Sequence, residues 1–110
     1  MSGRAPRLTH SLEAVLDSVM AAPADDPAYG LRICEQTSLG PGTVYPVLER
    51  LVGYGWVETW QEAEQPSGRP RRRFYRVTGT GRAEFQRARD ARATRRLRWT
   101  SGPGLMGRLG

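Results

Sequence analysis

Apolar positions along this chain follow a helical period three times and then change to a strand-like one. Leu12, Val15, Leu16 and Val19 fall at helical spacing and predict an amphipathic helix over about 8–21. Thr9, His10 and Ser11 offer its N-cap. Pro23-Ala24-Asp25-Asp26-Pro27 ends it. A shorter helix follows over roughly 28–36, with Tyr29 and Ile33, or Leu31 and Cys34, as alternative apolar edges. Gly30 inside it weakens a helix relative to alanine, as expected where another group comes close to the backbone. Residues 37–43 read as a turn. Val44, Val47, Leu48, Leu51 and Val52 then sit at i, i+3, i+4, i+7 and i+8, the cleanest helical stripe in the chain. Pro46 fits if that helix starts near 42–43, because first-turn N–H groups lack helical partners anyway. Gly53 and Gly55 are stop signals, and Gly55 suits a left-handed C-cap.

Aromatic and β-branched residues dominate Trp56–Glu62, which predicts a strand. Pro66-Ser67-Gly68-Arg69-Pro70 is a turn, and Arg73–Val77 is the returning strand. Trp56 and Trp60 share one strand face and are expected to pack inward. Thr78 then caps a final helix over about 79–98, whose apolar content is thin. Residues 1–7 read as a flexible arm and 100–110 as a disordered tail. The resulting plan is mainly α with a β-hairpin: a winged helix-turn-helix over 8–78, then a long C-terminal helix over 79–99.

Charge changes the picture. All seventeen basic residues are arginine, in a chain of 110 residues with a formal net charge of +6. The excess is concentrated: residues 69–98 hold twelve arginines and two acids, whereas residues 1–68 are net acidic. Arginine suits planar, bidentate contact with phosphate. Coding bias alone explains the lack of lysine, but not where the charge lies. A basic segment on an acidic remainder favours nucleic acid over an anionic membrane.

Other chemistries find little support. Cys34 is the single cysteine and His10 the single histidine, so neither an intrachain disulfide nor a cysteine-based metal cluster is expected. Cys34 reads as a small apolar residue and His10 as a surface residue near the first cap. No apolar run reaches membrane-spanning length, and no signal-peptide core opens the chain. A soluble, cytoplasmic protein without cofactor or catalytic constellation is expected.

The segment Gly42-Thr43-Val44-Tyr45-Pro46-Val47-Leu48-Glu49-Arg50-Leu51 resembles the G-T-L-Y-P-x-L-x-R-L signature of the PadR-like transcriptional regulators. Tyr29-Gly30-Leu31, Gly55-Trp56-Val57-Glu58, Gly68–Thr78 and Gly81 agree with further motifs of that family, in order. The resemblance implies a winged-helix homodimer on a palindromic operator, usually a repressor, with the third helix in the major groove and the wing along the backbone. It also implies that the last helix pairs with its mate. The chain is similar to the short subgroup with a single C-terminal helix. In certain short members a tryptophan of that helix holds planar aromatic drugs; Arg92 stands at the matching position and Trp99 lies two turns on, so the identity of any small-molecule effector is left open.

The candidate DNA-binding set is Ser38, Gly42, Thr43, Tyr45, Arg50, Arg69, Arg71 and Arg72. Thr43 serves equally well as a helix cap. Tyr45 has packing against the wing as its bland alternative, and Arg50 has pairing with Glu13 or Glu35. Strand alternation prevents all of Arg71, Arg72, Arg73 and Arg76 from reaching one surface. The candidate dimerisation set is Leu12, Val15, Phe85, Ala88 and Arg92. A nonspecific nucleic-acid binder and a protein-interaction module on the same fold are the rival readings.

Overall fold

The computed structural model describes residues 7–100. The expected arm, except Arg7, and the expected tail, except Thr100, lie outside the described residues. The first helix, α1 (His10–Ala21), starts where its caps allow: the Thr9 hydroxyl accepts from the Leu12 N–H at 3.1 Å. Its stripe of Leu12, Val15, Leu16 and Val19 is buried. A two-residue strand, β1 (Ala28–Tyr29), precedes α2 (Gly30–Thr37), so the expected helix over 28–36 begins two residues late. Tertiary pairing overrides local propensity there, because Ala28 and Tyr29 sit opposite Tyr75 and Phe74. Ile33 is buried and Cys34 packs against the core, while Leu31 is 64% exposed and Tyr29 lies in β1, so the inward edge takes one residue from each expected pair. Ser18 of α1 donates to the Gln36 side chain at 2.6 Å and ties α1 to α2.

The helix-turn-helix connection is short. Ser38 adopts a left-handed conformation (φ 61°) at the end of α2. Helix α3 (Pro41–Gly53) starts earlier than its sequence suggests, with Pro41 in the first turn. Pro46 therefore lies beyond the orphan N–H groups and removes one intrahelical bond. The end of α3 follows its glycines. Gly55 (φ 77°) donates to Val52 O at 3.0 Å and Trp56 to Leu51 O at 3.0 Å, a Schellman closure. Buried Leu51 and Trp56 supply its hydrophobic contact.

Strands β2 (Val57–Gln61) and β3 (Arg73–Val77) form the wing, with Val57 opposite Val77 and Gln61 opposite Arg73. The sheet has three strands in the order β1-β3-β2. Val57, Tyr75 and Val77 face the helices and are buried, while Glu58 and Arg76 are exposed on the other face. Trp56 and Trp60 part company: Trp56 precedes the strand and is a core residue, whereas Trp60 packs on the outer face against Phe74 (5.8 Å between ring centres). Arg76 lies over the Trp60 ring at 5.1 Å.

Thr78 caps α4 (Gly79–Thr100), accepting from Gly81 N–H at 2.9 Å. Phe85 of α4 is buried in the core. Glu13 and Asp17 of α1 hold Arg92 and Arg89 of α4: Arg92 Nη2 donates to Glu13 at 2.9 Å and Arg89 to Asp17 at 2.8 Å. The Arg92 guanidinium, with help from Arg89, keeps the Glu13 carboxyl below its ordinary value. Among the described residues, no helix is long and apolar enough to cross a membrane.

Candidate nucleic-acid interface

Two elements that are far apart in sequence meet at one groove. The first turns of α2 and α3 form one wall, and the segment after the wing tip forms the other. Tyr29, Leu31 and Tyr45 face Arg69, Arg71, Arg72 and Arg73 across a groove of about 370 Å³. Tyr45 reaches it because Gly30 has no side chain. A Cβ on Gly30 would stand 2.0 Å from the Tyr45 hydroxyl, so the close approach expected at this glycine is made by Tyr45. The Tyr45 side chain is still 39% exposed, and it packs closely against Gly30 of α2.

Thr43 is exposed within the first turn of α3. It does not cap the helix: the N-cap position belongs to Gly40, which has no side-chain hydrogen bond to give. Thr43 and Val44 N–H groups both bond to Gly40 O at 3.0 Å. Ser38, at the end of α2, and Gly42, in the first turn of α3, are also exposed. Arg50 is exposed on α3 and makes no ion pair among the described residues. Glu13, one of its expected partners, is taken by Arg92 and Arg89.

The wing arginines differ from one another. Arg69 is bound within its own loop, its Nη2 lying 3.1 Å from Glu62 Oε1 and 3.2 Å from Oε2. Arg72 lies over the Tyr29 ring at 4.3 Å, and Arg32 over the same ring at 4.7 Å. Arg73 donates to the Thr59 hydroxyl at 3.4 Å. Arg76 is drawn to the opposite face by Glu58 (Nε to Oε2, 2.7 Å). Arg71 is exposed and makes no hydrogen bond or ion pair among the described residues. Beneath the groove, burial pushes the Tyr75 phenol above its ordinary range, so it stays neutral.

Sequence reasoning missed Glu62. Its partners are Arg69, seven residues on, and Arg72, ten residues on, so only the hairpin register places them together. It also missed Tyr29 and Arg73 as groove residues: Tyr29 enters through β1 joining the sheet, and Arg73 through the hairpin register opposite Gln61.

The expected dimer set is divided by the structure. Leu12, Val15 and Phe85 are between 0% and 2% exposed within a single chain, so their surface is spent on the protomer's own core. Arg92 is held by Glu13, and Ala88 is half-buried. The large apolar side chains left outside on α4 are Leu97 and Trp99, 65% and 86% exposed. Among the described residues, no group of three or more histidine, cysteine or acidic side chains could hold a metal ion.

A helix-turn-helix pair whose second helix opens beside an arginine-bearing wing defines a winged-helix nucleic-acid-binding protein. The model of the "Transcriptional regulator PadR-like family" matches residues 19–87, and the chain belongs to that family. It is accordingly a DNA-binding transcriptional regulator. Solved structures agree on the fold. A PadR family transcription regulator from hypervirulent Clostridium difficile R20291 superposes with a TM-score of 0.61 at 21% identity, covering 86% of this chain and all of that one. A PadR-like transcription factor from Bacteroides fragilis gives 0.60 at 23% identity, covering 76% of this chain and 80% of its own. NMB1585, a MarR family regulator from Neisseria meningitidis, gives 0.55 at 29% identity, covering 93% and 68%. No curated protein matches the sequence.

Proposed function

We propose that this chain is a cytoplasmic repressor that acts as a homodimer on a palindromic operator. The observation that carries this reading is the groove itself, where Arg69 to Arg73 stand beside the exposed first turn of α3. In this reading the N-terminal end of α3 enters the major groove, with Thr43 and Tyr45 nearest the bases. Ser38, Gly42 and Arg50 lie where backbone phosphates pass. Arg71 of the wing neutralises a further phosphate and contributes affinity without sequence preference.

The mate is expected to dock along α4. Leu8, Ala88 and Ala91 border a groove of about 400 Å³ between the N-terminal residues and α4, and Leu97 and Trp99 continue the exposed surface. Two-fold pairing there would set the recognition helices about 34–36 Å apart, one turn of DNA. A bound dimer covering a promoter would block transcription.

The test is a fluorescence anisotropy titration of labelled duplex against salt. Arg71→Ala should weaken binding to every sequence alike and flatten the log–log salt slope by about one unit. Thr43→Ala should reduce affinity for operator more than for random duplex. An unchanged slope for Arg71→Ala would remove the wing from the interface.

A further inference from the structure

Two acids hold wing arginines: Glu58 takes Arg76 on the outer face, and Glu62 sits beside the groove, where the DNA-binding reading gives it no task. Glu62 follows β2 directly, and its N–H donates to Arg72 O at 2.7 Å, extending the ladder by one rung. Its side chain is only 15% exposed. Oε1 accepts from the Arg72 N–H at 3.1 Å, and both carboxylate oxygens lie within 3.2 Å of Arg69 Nη2. Arg69 Nη1 in turn donates to Pro70 O at 3.3 Å. Arg69 therefore meets in its own loop what it would otherwise find on a nucleic-acid backbone, an anionic oxygen pair, and the Pro70 carbonyl holds the guanidinium further. Two residues away, Arg71 has neither.

We propose that Glu62 is a specificity-determining residue: it holds Arg69 on the wing as an internal substitute for a DNA phosphate. This rests on the wing contacting the DNA backbone. A free Arg69 would be drawn to phosphate on any duplex, since that attraction carries no sequence information. Holding it back lowers binding to random DNA while leaving the base contacts of α3 intact. Discrimination is a difference between affinities, so subtracting a sequence-independent contact keeps random sites weak. The backbone cause of Glu62's low pKa is the same Arg72 N–H, reinforced by Arg69, so the carboxylate stays charged at neutral pH.

The test compares salt titrations on random and operator duplexes for wild type, Glu62→Gln, Arg69→Ala and the double variant. Glutamine keeps an oxygen for the Arg72 N–H but releases the Arg69 guanidinium. Glu62→Gln should steepen the salt slope by about 0.9, one added phosphate contact, and raise random-duplex affinity roughly 3- to 10-fold at low salt. Arg69→Ala alone should leave the wild-type slope, and the double variant should return to it. A steepening that survives in the double variant comes from lost negative charge and overturns the proposal, as does an unchanged or flatter slope in Glu62→Gln. If Glu62→Gln does not fold, Arg69→Ala decides alone: a flattened slope places Arg69 on DNA in the wild type and overturns it. Arg71→Ala in the same titrations separates the two ideas. If its slope flattens while Glu62→Gln does not steepen, only the role of Glu62 falls; if its slope is unchanged, the wing contact falls and this inference with it.

Discussion

Replacing Gly81 by alanine should destabilise the protein strongly, while the same change at Gly79, two residues earlier in α4, should not. Helix propensity favours alanine at both, by up to about 1 kcal/mol in a helix interior. Their surroundings differ. A Cβ on Gly79 meets nothing within 4 Å. A Cβ on Gly81 would stand 2.1 Å from the Trp56 carbonyl oxygen and 2.7 Å from its carbon and Cα. These are backbone atoms at the buried junction of α3 and the wing, so no side chain can swing aside. The start of α4 would have to move, and Trp56 O also accepts from Thr78 N–H at 2.8 Å. Overpacking of this kind costs roughly 1–3 kcal/mol. Loss of the Trp56–Thr78 bond in a buried setting adds about 1–3 kcal/mol. After subtracting the propensity gain, a net loss of roughly 1–5 kcal/mol remains, centred near ~3 kcal/mol, a large part of the ~5–15 kcal/mol typical of a domain. With a urea m-value of about 1–3 kcal/mol/M, a loss near ~3 kcal/mol should lower the midpoint by about 1–3 M. Urea unfolding followed by far-ultraviolet dichroism and by tryptophan emission reads both variants. If Gly81→Ala unfolds at the same midpoint as Gly79→Ala, the packing argument at this junction is wrong.

Gly30→Ala should displace the Tyr45 ring and weaken operator binding more than it lowers stability, because the crowded atoms belong to a side chain that is partly exposed; anisotropy and thermal melts on one preparation compare the two effects. Glu13 gives a pH signature. Its pKa is depressed from the ordinary 4.5, first by the hydrogen bond from Arg92. Stability from this group is therefore present above pH 4.5 and is lost as pH falls through the folded-state value. Glu13→Gln should be less stable than wild type at pH 7 and approach it in acid; a gap that stays constant from pH 7 down to acid unfolding would show that the ion pair adds nothing.

The helices, hairpin and caps were legible because each follows from a local rule. Thr9 and Thr78 are caps in the structure, Gly55 closes α3, and the stripes of α1 and α3 are buried as their periods require. What escaped depends on pairing between distant segments. Nothing local in Ala28-Tyr29 announces a strand; it becomes one because β3 lies beside it. Trp56 and Trp60 alternate correctly for one face, yet the strand begins at Val57, after the turn has already sent Trp56 into the core. Arginine count revealed a basic groove but not its internal division. That division is made by Glu62 and Glu58, acids whose partners lie across a hairpin. Leu12, Val15 and Phe85 looked like mating surface because an apolar stripe does not say whether its own chain or another covers it.

The position of β3 between two neighbours has a consequence for fidelity of folding. A strand has a side-chain period of two, so sliding by one residue would turn Tyr75 outward and drive Phe74 and Arg76 inward. A hairpin alone guards against this with one partner. Here Tyr75 is matched to Thr59 on one side and to Ala28 on the other, so a slip must break both alignments at once. The short strand before α2 thus acts as an indexing tooth, fixing which arginines are presented and which are turned away before any DNA is met.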